Sequence, residues 1–267
     1  MPISPYRIVV ASIKGGTGKT TTAVSLATII ARHHSTLLVD FDPQGQVVSH
    51  FRLPQSSGVS DWLMGHRYFE ETIITGRPST LRILPGDYHS KDVGYMYMTE
   101  RGAFPLGSKL MEIEGFDFQV YDTAAGGFLQ EAALIVADHV VVPFRTEGAS
   151  LTSLKNVLDL IRDKTDASTP VTLLPVGYSR QYSIHRRNLS AVVSALGESY
   201  SVSEQSAVPH RVGVLEAYSE GQTIWEYKDS GLEPVRAAYG KLAARLFGLA
   251  GYGYLEKNLE KIYASPT

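Results

Sequence analysis

Two lysines five residues apart bracket a glycine-rich turn, Lys14-Gly15-Gly16-Thr17-Gly18-Lys19-Thr20-Thr21. A β-branched run, Ile8-Val9-Val10-Ala11-Ser12, precedes it, and a helical pattern follows from residue 19. Strand, glycine loop, helix is the context in which backbone N–H groups converge on phosphate oxygens and a helix N-terminus adds positive dipole. Gly15, Gly16, Thr17, Gly18, Lys19, Thr20 and Thr21 are therefore the candidate contacts to a nucleoside triphosphate. Lys19 supplies a mobile charge for the β and γ phosphates, and the Thr20 hydroxyl is placed to ligate Mg²⁺. A nucleoside triphosphate and Mg²⁺ are the cofactors this chemistry calls for. In the plain pattern G-x-x-x-x-G-K-T the first glycine would fall at Ile13; here Lys14 and two glycines follow instead.

Carboxylates complete the set. Thr36-Leu37-Leu38-Val39-Asp40 is a strand pattern that runs into Phe41-Asp42-Pro43-Gln44-Gly45-Gln46. A carboxylate at a strand end beside a phosphate loop can hold Mg²⁺ through water, and one slightly further out can orient an attacking water. A turn built on Asp-Pro-Gln-Gly also explains Asp42. Further along, Phe118-Gln119-Val120-Tyr121-Asp122 reads as a buried strand delivering Asp122 to the C-terminal edge of a sheet, where ligands bind.

The elements that must position these residues are legible as alternating strands and helices. Besides the strands named, Leu81–Leu84, His139–Pro143 and Val171–Pro175 are strand candidates, and helical patterns lie near 19–33, 127–136, 149–164, 184–196 and 231–248. Short apolar strands alternating with helices predict an α/β fold, a doubly wound, mostly parallel sheet of the P-loop NTPase kind. The segment 85–107, rich in Gly and Tyr and carrying Met96 and Met98, has no clear period and is expected to be loop-rich with a short helix. No repeat or Pro/Ser linker divides residues 1–267, so a single domain is expected.

At these residues the sequence resembles the ParA/MinD family, whose deviant Walker A reads Lys-Gly-Gly-x-Gly-Lys-Thr-Thr. Asp40–Gln46 looks like the ParA switch I, Asp-x-Asp-Pro-Gln-Gly-Asn, with Gln46 in place of Asn. Val208-Pro209-His210-Arg211-Val212 and Glu216-Ala217-Tyr218-Ser219-Glu220-Gly221 resemble a later family segment. The resemblance implies a weak ATPase in which Lys14, Lys19 and Asp42 are catalytic. Lys14 crosses a homodimer interface to the partner's nucleotide, Asp42 orients water, Thr20, Asp40 and Asp122 serve the metal, and Pro209 and Arg211 border the adenine. It further implies nonspecific DNA binding, with Arg180, Arg186 and Arg187 as candidates and His185, His210 and Arg211 beside them. A DNA-contacting arginine of the family aligns with Gly213. An activator of the ParB type, or another cargo adaptor, would trigger hydrolysis, and a cytoplasmic, nucleoid-associated protein is implied. The family's usual Pro-Pro pair after the switch II aspartate is replaced by Ala124-Ala125-Gly126-Gly127, which points to a more mobile loop. Only about 13 residues precede Lys14, as in the short type without a helix-turn-helix.

Composition narrows the alternatives. Hydrophobic content of 43%, charged content of 19% and a formal net charge of −2 describe a globular chain with no whole-molecule attraction for polyanions, so a nucleic-acid surface must be a local patch. No stretch reads as a signal peptide or a membrane span. With no cysteine, an iron–sulfur reductase is excluded. A MinD-like membrane cycle is the alternative and needs an amphipathic tail. Leu255, Leu259 and Ile262 share one face of the last segment, but its polar face mixes Glu with Lys, which suits core packing better. An ATP-dependent synthetase is the remaining class.

Overall fold

The computed structural model describes residues 4–55, 57–97, 102–147 and 151–256. Among these, eight strands form one sheet: β1 (Tyr6–Val10), β2 (Thr36–Asp40), β3 (Ile74–Thr75), β4 (Leu81–Leu84), β5 (Phe118–Asp122), β6 (His139–Arg145), β7 (Val171–Tyr178) and β8 (Val208–Pro209). Their spatial order is β3-β4-β2-β5-β1-β6-β7-β8. Every pairing is parallel except that of the two-residue edge strand β3 with β4.

Successive residues of β1 serve opposite faces. Ile8 and Val10 enter one core, beside the helices Lys19–Ala31 and Glu233–Leu249; Val9 and Ala11 enter the other, beside Phe128–Ile135, Leu151–Lys164 and Ser183–Leu196. With both faces covered, the central strands are mostly apolar, because an unpaired polar side chain on either face would be stripped of water. Buried exceptions find partners: Gln119 donates to Ile113 O and His139 bonds Thr172 Oγ1. The helix Lys19–Ala31 is buried nearly all round, which its mostly small and apolar residues allow.

The predicted doubly wound sheet is present, and its strand ends differ from expectation in informative ways. β1 stops at Val10 rather than Ser12, because Ser12 turns its hydroxyl onto the backbone of residue 14. β6 and β7 run further than read, pairing Phe144 with Pro175 and Arg145 with Val176, and this carries Val176 and Gly177 up beside the phosphate loop. Segment 85–107 holds the helix Ser90–Tyr97 and the start of Phe104–Met111, more helix than expected; Met98 lies outside the described residues. Leu255 is buried in the short helix Gly253–Glu256, whereas Leu259 and Ile262 lie outside the described residues. No described helix is long and apolar enough to cross a membrane.

Candidate active site

β1, β2 and β5 end side by side at the C-terminal edge of the sheet, and their register pairs Asp40 with Asp122 and Val10 with Asp122. The glycine loop leaves β1 here. Gly16 and Gly18 take φ of +71° and +86°, a left-handed conformation that side chains disfavour, and the helix starts at Lys19. The turn is organised around one carbonyl. The oxygen of Lys14 accepts from Ser12 Oγ (3.2 Å), Thr17 Oγ1 (3.3 Å) and Lys19 Nζ (3.5 Å). Space lies open where side chains of Gly15 and Gly16 would stand, the room a phosphate group requires. The two lysines differ in setting: Lys19 is buried, while Lys14 is exposed.

Burial lowers the pKa of the Lys19 ammonium, and the carboxylates of Asp122 and Asp42 pull it back up. Asp40 is fully buried. Its Oδ1 accepts from Asp42 N (2.9 Å) and its Oδ2 from Val47 N (3.2 Å), so this carboxylate holds the loop 40–47 in place. Burial, then the neighbouring Asp122, raise its pKa well above the carboxylate range despite those two N–H groups. Asp42 Oδ1 accepts from Gln44 N (2.9 Å), and Gly45 N returns to Asp42 O (2.9 Å), closing the turn. That turn sits against Gly86, where a Cβ would fall 2.5 Å from Asp42 O and 2.8 Å from the Asp40 carboxyl carbon. Only glycine leaves room there.

Asp122 is buried, and neither carboxylate oxygen reaches a hydrogen-bond partner. Burial pushes its pKa up to about 7, although the nearby Thr20 hydroxyl and the Lys19 charge draw it down. An unpartnered buried carboxylate is costly unless something cationic arrives. Oxygen donors from Asp122, Thr20 and Asp40 suit a hard divalent ion. Among the described residues no cluster of three or more His, Cys, Asp or Glu could hold a metal ion. Mg²⁺ in nucleotide sites takes one or two carboxylates and completes its shell with waters and phosphate oxygens.

Beyond the loop, a cleft runs from Gly18 and Thr21 between Val176, Val208, Pro209 and Val214 to the exposed Arg211. Pro209 and Arg211, read from sequence as bordering a base, are thus brought to a largely apolar slot that opens off the phosphate loop. The Arg211 guanidinium is held by the carbonyls of Gly231 (3.1 Å) and His210 (2.7 Å).

Two features were not read from sequence. Gln130, buried on the helix after Asp122, donates to Ser12 O and to Thr123 Oγ1, both at 3.2 Å. Arg145 lies between the loop and the slot, paired with Glu147 at 2.6 Å, and the absence of a side chain at Gly177 makes space for it. The only signal for either was a polar residue in an apolar stretch. Of the basic candidates, Arg180 is exposed but paired with Glu204 (2.7 Å), Arg186 donates to the carbonyls of Arg180 and Gln181, and Arg187 is exposed. His185 does not belong with them. It is buried, its Nδ1 accepting from Ser179 N (3.0 Å). At Gly213 a Cβ would stand 2.5 Å from Asp229 Oδ2, so an arginine cannot be accommodated there without rearrangement.

Comparison with known proteins gives the family and the fold. The family model described as an AAA domain matches residues 6–170. The chromosome-partitioning ATPase Soj of Treponema pallidum is 28% identical over 249 residues, covering 89% of this chain and 95% of that protein. Among solved structures, the ATP complex of a Cyanothece McdA variant superposes with a TM-score of 0.78 at 17% identity, covering 92% of this chain and 97% of that one. A cobyrinic acid a,c-diamide synthase of Mycobacterium smegmatis, with an ATP analogue and magnesium bound, superposes at 0.74 with 21% identity, covering 93% and 97%. Likeness at this identity shows the fold alone. The ParA resemblance read from the loop is borne out by the partitioning relatives, and the chain belongs to the AAA domain family as an ATPase that uses ATP and Mg²⁺.

Proposed function

We propose that this chain is a ParA-type partition or positioning ATPase, a single domain that closes into a homodimer on ATP. The observation that carries the reading is the different setting of its two lysines. Lys19 is buried against Asp122 and Asp42 and serves its own nucleotide's β and γ phosphates; Lys14 is exposed at the rim, where it can reach a triphosphate held by a second copy. A largely apolar cleft beside Lys14, lined by Ile13, Pro143, Phe144 and Leu154, supports an apposed protomer. Thr20 and Asp122 would hold Mg²⁺ and Asp40 would support it through water while fixing the loop, and Asp42 would orient the attacking water. Pro209 and Arg211 border the adenine. Mg²⁺ supplies charge neutralisation on the phosphates when bound.

The partitioning function named for the Treponema relative comes to this chain on that basis. The ATP dimer would bind DNA without sequence preference through Arg180, Arg186 and Arg187, and a ParB-like or cargo-adaptor protein would stimulate hydrolysis and release it from the nucleoid. Light scattering with a non-hydrolysable ATP analogue and Mg²⁺ tests the dimer. The parent should double in mass, and Lys14→Ala should stay monomeric while retaining analogue binding. A monomeric parent, or a Lys14→Ala protein that pairs like the parent, overturns the reading.

A further inference from the structure

The segment after Asp122 has little backbone restraint of its own: Gly126 and Gly127 take φ of +96° and +97°, and the first bond within it joins Gly126 N to Ala124 O (3.0 Å). What anchors it is a chain of side-chain bonds. The Thr123 hydroxyl donates to Val10 O (2.9 Å), on the strand that feeds the phosphate loop. Its oxygen then accepts from Gln130 Nε2, whose second hydrogen goes to Ser12 O. Ser12 in turn bonds both N and O of Lys14 through Oγ (3.2 Å each). One carboxamide therefore clamps the residue that follows Asp122 to the turn that sets the loop's leading edge.

Gln130 is an unexpected choice for packing. It is buried among Leu129, Ala132 and Ala133 on a helix that faces the core. Its Oε1 is buried without a partner, which costs stability that an apolar residue of the same shape would not. The donor is what glutamine adds.

We propose that Gln130 is a positioning residue for ATP hydrolysis, locking Thr123, and with it Asp122, to Ser12 and the phosphate loop. It touches no reacting atom. It fixes the distance between the loop that cradles the phosphates and the strand end that carries the buried carboxylate, and small errors in such distances cost rate steeply.

The test compares the full chain with Gln130→Met, which keeps length and apolar volume but donates nothing, and with Thr123→Val, which leaves Gln130 in place and removes its partner. Steady-state turnover at saturating Mg·ATP should fall about tenfold in each. The Kd for a non-hydrolysable ATP analogue should stay within about twofold, and the Gln130→Met thermal midpoint should fall only modestly, because Ser12 O and Thr123 Oγ1 lose a donor while the unpartnered Oε1 is removed. The double variant should lose no more than the worse single one, the mark of residues acting as one unit. Parent-like turnover in either variant, additive losses, or an affinity that falls in step with turnover would overturn the proposal. If Gln130→Met does not fold, Thr123→Val decides alone by the same turnover and affinity readouts.

Discussion

Replacing Asp122 with asparagine should make the nucleotide-free protein more stable at pH 8 while destroying its response to Mg²⁺. The carboxyl is fully buried and unpartnered, and its pKa stands at about 7 against an ordinary 3.8. At about 1.4 kcal/mol per pH unit, keeping it ionised in the fold at pH 8 costs about 4 kcal/mol. The sign follows from proton counting. Between about pH 4 and 7 the folded chain keeps a proton that the unfolded chain has released, so the parent loses stability as pH rises through that window and stays level above it. Asp40, raised for the same cause, acts in the same direction. His50 and His139, both pushed down to about 4 by burial, act oppositely below about 6.5, so only the difference between parent and variant isolates Asp122. The new amide leaves a buried N–H to satisfy, at about 1–3 kcal/mol, which reduces the net gain at pH 8 to about 2 kcal/mol. For a chain of this size that is a rise in Tm of about 4–8 °C. Urea melts of both proteins at pH 5 and pH 8, in EDTA, measure the difference directly. It should favour the variant at pH 8 and shrink or reverse at pH 5. With Mg·ATP the order should invert, since only the parent gains binding energy through the metal. A variant less stable than the parent at pH 8 without metal, or a difference flat in pH, refutes the idea that Asp122 stores an uncompensated charge for Mg²⁺.

Two further substitutions probe the surroundings of the site. Gly86→Ala drives a methyl against Asp42 O and the Asp40 carboxyl, so it should cost about 3 kcal/mol in urea melts and lower ATP turnover by shifting the loop 40–47; a variant within about 0.5 kcal/mol of the parent would show that this close approach is not needed. Arg180→Glu combined with Arg187→Glu should weaken ATP-dependent retention on random-sequence DNA at least about tenfold at 0.1 M salt and flatten its salt dependence, read by fluorescence anisotropy; unchanged retention moves the DNA surface elsewhere.

How much could be read beforehand divides along the range of the interactions. The phosphate loop was legible because its demands are local: glycine at positive φ, a lysine and a threonine at fixed offsets, a strand before and a helix after. Strands β2, β4 and β5 were bounded correctly, because strands buried on both faces admit few polar residues. The two-residue strands β3 and β8 carry too few side chains for any period, and they exist only because a neighbour offers its edge. Gln130 and Gly86 were invisible for the corresponding reason. What makes glutamine meaningful at 130 lies 118 residues away in sequence, at Ser12. What forbids a side chain at 86 is the carbonyl of Asp42. The basic residues show the limit from the other side: Arg180 and His185 look alike in sequence, yet one is exposed and the other is spent on the amide of Ser179. Residue types at short spacing therefore identify the chemistry, whereas the groups that set its geometry come from distant segments that only the completed sheet brings into contact. The Gln130 clamp belongs to that second class, and turnover is the property through which its loss should first be seen.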